Sequence, residues 1–152
     1  MNDAKKTIVT HEDYNPEVDV LARTIFGEAR GEYYRPDGGI ASLISVANVI
    51  KNRVTGSKRY GQTYYEVCRK PYQFSCWNQG DPNYFLISRI QVEEDALFDI
   101  CYEVSKNIVS GHWPDLTNGA NHYHANWMKT YPEWAAGRPP KFRVGQHIFY
   151  KL

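Results

Sequence analysis

Leu21-Ala22-Arg23-Thr24-Ile25-Phe26-Gly27-Glu28-Ala29-Arg30-Gly31-Glu32 is the stretch around which this chain is organised. With Val18 just before it, Leu21, Ile25, Glu28 and Glu32 fall at steps of three and four, which on a helix form one stripe. Val18, Leu21 and Ile25 are apolar and face a core. Glu28 and Glu32 are carboxylates at the far end of the same stripe, where a charge is costly unless it is paired or protonated. Two outcomes are open at this point. The helix frays near Gly27 or Gly31 and both glutamates reach water, as most Glu residues do. Alternatively, a carboxyl with a raised pKa is held over a cleft as a general acid.

Working outward, Asn15-Pro16 reads as a helix start, with Asn15 as cap and Pro16 in the first helical position. The pattern predicts a first helix from Pro16 to about Ala29, ended by Gly31 and Tyr33-Tyr34-Arg35-Pro36. Gly27 inside it costs about 1 kcal/mol relative to Ala and marks either a close backbone approach or a loosened last turn. A second helix begins after Asp37, where Ile40, Leu43, Ile44, Ala47, Ile50 and Val54 recur at helical steps until Thr55-Gly56-Ser57. It is the core helix expected to pack on the first. Thr63-Tyr64-Tyr65-Glu66 has the form of a capping box and opens a short helix to about Cys68.

A third long helix is predicted from Ile90 to Ser110, with Val92, Ala96, Leu97, Ile100, Cys101, Val104 and Ile108 as its buried face and Gly111 as its stop. Between the helices, Pro71 to Trp77 is aromatic and lacks a helical period, so it reads as a loop or short strand lying across something. Beyond them, Asn118-Gly119 is a turn signal, Ala120 to Ala125 a short strand, and Trp127 to Pro140 a loop anchored by Tyr131 and Trp134. Phe142 to Tyr150 reads as one final strand. The fold class is α+β, mostly α.

The chain has 152 residues, enough for one domain with a sizeable core, and 42% of them are hydrophobic. Twelve Tyr, six Phe and four Trp argue for a folded protein, and their flat faces suit sugar rings as well as cores. A formal net charge of +1 supplies no electrostatic footprint for nucleic acid. Cys68, Cys76 and Cys101 make an odd count, which fits a reduced compartment better than a disulfide framework. The polar opening Met1-Asn2-Asp3-Ala4-Lys5-Lys6 holds no apolar signal core, and no run is long enough to span a bilayer. The chain is therefore expected to be made in the cytoplasm without a signal peptide.

Four groups of residues could carry chemistry. Glycoside cleavage needs a carboxylic acid to protonate the leaving oxygen, and Glu28, backed by Leu21 and Ile25, fits that need. His122 and His124 lie on one face of a strand and with His147 could share a metal, although no paired metal-ligand motif accompanies them. Cys76 with a histidine could be a thiol nucleophile, but its loop offers no helix N-terminus to lower its pKa. Gly38-Gly39 without the rest of a phosphate-binding fingerprint is a simple turn.

Four ordered stretches resemble the SleB-like cell wall hydrolases, the family named for the spore cortex-lytic enzyme. They are Leu21 to Glu32 with its Gly-Glu-Ala-Arg-Gly-Glu core, Val46 to Val54, Tyr72-Gln73-Phe74-Ser75-Cys76-Trp77, and Gly119 to Ala125 followed by Gly145 to Tyr150. The resemblance spans about residues 18–150. It implies a lysozyme-like fold with three main helices and a small β/loop region lining the cleft. Residues 1–14 would be an N-terminal arm and 15–152 the catalytic domain. It further implies cleavage of the MurNAc-GlcNAc glycan strand of peptidoglycan by lytic transglycosylation, with Glu28 as general acid and then base. By position in the matching motifs, Glu32, Gln73, Ser75, Tyr123, His124 and His147 would bind substrate.

No cofactor or metal is implied, and a monomer is expected. The partner is the peptidoglycan glycan strand, with no nucleic acid and no membrane span. The alternatives are a muramidase-type hydrolase of the same bond, a metal-dependent amidase using His122, His124 and His147, a Cys76 peptidase and a non-catalytic sugar-binding module. A single small catalytic domain without an export signal resembles a phage endolysin, released to the wall through a membrane pore such as a holin.

Overall fold

The computed structural model describes residues 14–152, so the expected arm, up to residue 13, lies outside the described residues. Five helices precede a small sheet: α1 (Pro16–Tyr33), α2 (Ile40–Thr55), α3 (Tyr64–Arg69), α4 (Tyr84–Arg89) and α5 (Ala96–Val109). Three strands follow, β1 (His122–Ala125), β2 (Phe142–Val144) and β3 (His147–Tyr150). This is the expected mostly helical α+β architecture.

Helix α1 starts as predicted. Asn15 has extended backbone and its side chain accepts from the amides of Glu17 and Val18, with Pro16 in the first turn. The helix does not fray at Gly27 or stop at Ala29 but runs through Gly31 to Tyr33. It is also buried on more than the one stripe, because Val20, Ala22, Thr24, Phe26 and Ala29 are covered as well as Val18, Leu21 and Ile25. A helix buried on most sides is a central helix. Its neighbours are α2, α3, α4 and α5. Phe26 meets Phe98 of α5 edge-on at 5.6 Å. Full burial of side chains such as Leu21 and Ile25 stabilises the fold by about 1.5–3 kcal/mol each.

Gly27 answers the question left open by the sequence. A Cβ there would lie 2.9 Å from Cys76 Cβ and 3.2 Å from Ile87 Cγ2, so the glycine is a close approach between α1 and the aromatic loop. Glu17, near the start of α1, accepts from the backbone amides of Tyr64 and Tyr65 at 2.9 and 3.0 Å. It thereby caps α3 from a distance, alongside the predicted Thr63 cap to Glu66 N at 3.0 Å.

Two predicted elements are corrected. The helix expected from Ile90 to Ser110 begins later, at Ala96 of α5, and a separate short helix, α4, ends just before it at Arg89. Three carboxylates build the break: Glu94 accepts from Gln91 N, Asp99 from Glu93 N, and Asp95 caps α5 through Leu97 N and Phe98 N. Glu93 has a left-handed φ of 77°. The apolar period survives from Leu97 to Ile108, and Cys101 is in the core as expected. The single strand expected over Phe142 to Tyr150 is instead a hairpin that reverses at Gly145-Gln146, with Gly145 at φ 55°.

The sheet order is β1-β3-β2, antiparallel throughout. Register places Tyr123 opposite Phe149 and Ala125 opposite His147, so these four share one face, with Phe142 and Val144 of β2. That face packs on Val49 of α2 and Ala120. His122, His124, Ile148 and Tyr150 occupy the other face. The Trp127 to Pro140 loop covers it, with Ala135 and Trp134 packed on Ile148 and Tyr150.

Candidate active site

The last turns of α1 carry Glu28 to the junction between helices and sheet. The Tyr123 hydroxyl, on the inner face of β1, donates to Glu28 Oε1 at 2.6 Å. The Cys76 thiol stands beside the same carboxyl, on the 3-10 turn Ser75–Trp77. That turn is pinned to α1 by the Gly27 approach and by Trp77 Nε1 donating to Thr24 Oγ1 at 2.9 Å. Leu21 and Ile25 lie fully buried one and two turns behind Glu28. A half-buried carboxyl is thus held by a phenol and flanked by a thiol from two distant parts of the chain.

The donors stay protonated. Burial, and then the Glu28 charge, raise the Tyr123 pKa well above that of a free phenol. Burial pushes the Cys76 thiol up as well, with Glu28 adding to the effect. This is the opposite of what a thiol nucleophile needs. Cys68 and Cys101 are also free and buried, each pushed up to about 12, mainly by burial.

Arg53 is the site residue that the sequence reading passed over. Its guanidinium is 6% exposed, donates Nε–H to the Asn121 carbonyl at 2.7 Å, and stands 5.1 Å from the Tyr60 ring and 5.4 Å from the Phe74 ring. Burial lowers its pKa, and the fields of Tyr123, Tyr60, Cys68 and Glu28 raise it in part. Nη1 is buried without a partner among the described residues. The signal was present: Val46, Val49 or Ile50, and Arg53 step along one face of α2, so the apolar stripe ends in a cation rather than in Val54 alone.

Glu32 has a defined task. Its Oε1 accepts from Gln146 N at 2.6 Å and faces Gly145, where a Cβ would come within 2.5 Å of it. Arg35 Nε lies 4.0 Å away. Glu32 therefore ties the end of α1 to the β2–β3 turn. His147, on the inner face of β3, lies 4.9 Å from the Tyr123 ring, and its Nδ1 is buried without a partner among the described residues. Burial lowers its pKa, Glu32 opposes that and His124 adds to it.

Gln73 and Ser75 sit on the aromatic loop that carries Cys76, half-buried and exposed respectively. Glu28, Tyr123, Cys76 and Arg53 are thus brought together, with His147 against Tyr123 and Glu32 one helical turn on. His124 is on the other face of the sheet, where Nε2 meets the Tyr150 hydroxyl at 3.0 Å and Nδ1 the Ala125 carbonyl at 2.9 Å. His122 shares that outer face, and His147 does not, so the three cannot close on one ion. Among the described residues there is no cluster of three or more His, Cys, Asp or Glu suited to a metal.

The chain resembles known proteins at the level of both family and fold. The family model described as cell wall hydrolase matches residues 39–150. The catalytic domain of the Bacillus cereus SleB protein is similar at 27% identity and a TM-score of 0.63, covering 89% of this chain and 89% of that one. The catalytic domain of a germination-specific lytic transglycosylase, SleB from Bacillus anthracis, is similar at 26% identity and a TM-score of 0.62, covering 93% and 100%. No curated protein sequence matches the chain. Among the described residues no helix is long and apolar enough to cross a membrane. With a family match over most of its length and this mostly helical, lysozyme-like fold, the chain belongs to the cell wall hydrolases, as an SleB-like enzyme that degrades peptidoglycan.

Proposed function

We propose that this peptidoglycan glycosidase is a lytic transglycosylase of the MurNAc-GlcNAc linkage, with Glu28 as its single acid and base and residues 15–152 as its catalytic unit. The observation that carries the reading is the Glu28 carboxyl held by Tyr123 at the helix–sheet junction. In the first step, protonated Glu28 gives its proton to the glycosidic oxygen as the bond from that oxygen to the MurNAc anomeric carbon breaks. In the second, the carboxylate takes the proton of the MurNAc C6 hydroxyl while that oxygen bonds to the anomeric carbon. The products are a 1,6-anhydro end and a free GlcNAc hydroxyl, no water is consumed, and Glu28 is again protonated. The likeness to a structure described as a lytic transglycosylase supports this chemistry.

A muramidase-type hydrolase needs a second carboxylate, about 5–9.5 Å from the first, working on the other side of the sugar or on a water there. Glu32 follows Glu28 on the same helix and its Oε1 is taken up by Gln146 N, which favours the one-carboxylate route. Gln73, Ser75, Glu32, Tyr123 and His147 are assigned to lining or shaping the sugar site, and His124 to supporting it through Tyr150. Mass spectrometry of products from purified sacculi tests the reading. Anhydro-muramic ends are expected from the parent and none from Glu28→Gln; reducing ends would establish the hydrolase instead. An endolysin-like role is tested separately by expressing the protein inside bacteria with and without a co-expressed membrane pore, lysis being expected only with the pore.

A further inference from the structure

The cations of this chain are concentrated. Between residues 51 and 70 there are six Lys and Arg and one carboxylate, in a chain whose formal net charge is +1. The fold gathers three of them, Lys58, Arg69 and Lys70, around one groove. The turn Lys58–Tyr60 forms one wall, and Tyr65, Glu66, Arg69 and Lys70 of the α3 segment form the other, enclosing about 340 Å³. Its walls are aromatic as well as cationic. Arg59 lies 4.8 Å over the Tyr60 ring, and Arg69 lies 4.2 Å over Trp77 and 5.8 Å from Tyr65. Among the described residues, Lys58, Arg59, Arg69 and Lys70 have no carboxylate partner in an ion pair, whereas Arg23, Arg35 and Lys106 do.

The groove adjoins the candidate active site. Tyr60 is shared: it lines the groove, lies under the Arg53 guanidinium and touches His122 at 5.8 Å. Arg53 in turn feels the field of Glu28. The positive field extends to β1, where Arg53, Arg59 and Arg138 all act on the His122 ring. Through Tyr60 and Arg53, two stacked side chains, the groove is linked to the candidate site.

We infer that this groove binds the carboxylates of the peptide stem borne by the sugar next to the scissile linkage. This rests on the peptidoglycan reading above. Peptide stems are the anionic part of that substrate, they hang to the side of the glycan strand, and a groove linked to the candidate site through Tyr60, with cations that have no carboxylate partner and with flat rings, is complementary to them. The site thereby selects stem-bearing strands over bare ones.

The test compares the parent with the exposed-residue variant Lys58→Gln/Arg69→Gln on two substrates: intact sacculi, and the same glycan stripped of stems by an amidase. On intact sacculi the variant is expected to raise KM about three- to tenfold at low ionic strength, with kcat unchanged and a flatter salt dependence. On stripped strands parent and variant should be equal. Equal loss on both substrates, or no loss on either, would overturn the inference.

Binding of Glu28→Gln protein to sacculi, with and without the two added substitutions, reads the groove without chemistry, so a failed transglycosylase reading does not hide the result. Sacculi treated to remove phosphate-rich wall polymers complete the test. Unchanged binding supports the stem assignment, and loss of binding with stems still present would overturn it. Thermal melting of each variant verifies that the fold is intact.

Discussion

The Tyr123 hydroxyl and Glu28 Oε1 are 2.6 Å apart although their residues are separated by 95 positions in the chain. The bond fixes the carboxyl against the inner face of the sheet, so its geometry depends on a phenol from the opposite half of the sequence. Hydrogen bonds to a charged acceptor are worth about 1.5–3 kcal/mol. Tyr123→Phe keeps the ring on His147 and Phe149 and removes only the donor. The expected outcome is a kcat lower by about 10- to 100-fold with KM changed less than threefold. Steady-state turnover of solubilised glycan strands measures it, and a parent-like kcat would show that Tyr123 does not position the acid.

Gly27→Ala forces a methyl to within 2.9 Å of Cys76 Cβ and 3.0 Å of its Sγ. Alanine gains about 1 kcal/mol in helix propensity. Overpacking costs about 1–3 kcal/mol and shifts the loop that carries the thiol to Glu28. The net expectation is a destabilised protein whose activity falls by more than its folded fraction. Urea unfolding alongside activity on sacculi separates the two.

Glu32→Ala leaves Gln146 N without its acceptor and loosens the β2–β3 turn from α1. The cost expected is about 1–3 kcal/mol in urea unfolding. Glu32→Gln keeps a carbonyl oxygen in reach and should recover at least half of that. If Glu32→Gln were as stable as the parent yet inactive, Glu32 would have a chemical task as well as a structural one.

His122 contributes to the pH dependence of stability. Burial first, then the fields of Arg53, Arg59 and Arg138, lower its pKa from 6.5 to about 4. The unfolded chain therefore binds more protons than the folded one between those values, and stability rises with pH across the window. The contribution is complete above about pH 6.5 and is lost as pH falls through about 4. Solvent screening of this half-buried ring reduces the effect to about 1–2 kcal/mol. Urea midpoints at pH 4.5 and 7 should differ less for His122→Asn than for the parent.

The three thiols are expected to be silent in the native state. Burial raises all of them, Cys68 and Cys101 to about 12. Intact-mass analysis after alkylation at pH 8 should show no adduct on folded protein and three in denaturant. Rapid labelling of Cys76 without denaturant would mean that the aromatic loop opens.

Local chemistry was legible in the sequence and long-range partnership was not. Asn15-Pro16 starts α1, the period from Leu43 to Ile50 makes α2, and Asn118-Gly119 makes a turn with φ values of 56° and 85°. The break before α5 was missed because its signal is three carboxylates bonding to nearby amides, a pattern that an apolar period does not register. The separation of Tyr123 from His124 was legible in principle: strand alternation places neighbours on opposite faces, so the two cannot both face Glu28. Glu28 was singled out through its stripe and its resemblance. Its Tyr123 and Cys76 partners, and the Gln146 amide on Glu32, come from pairings that only the folded topology creates.

Helix α1 sends three glutamates to three later parts of the chain. Glu17 reaches Tyr64 across 47 positions, Glu28 reaches Tyr123 across 95, and Glu32 reaches Gln146 across 114. All three partners lie later in the chain than the helix, in the order Tyr64, Tyr123 and Gln146. A fragment cut short before β1 therefore holds the Glu28 carboxyl with no phenol to position it, and one cut short before Gln146 leaves Glu32 without its amide. The candidate site is in this way a property of the whole domain and not of its helical half alone.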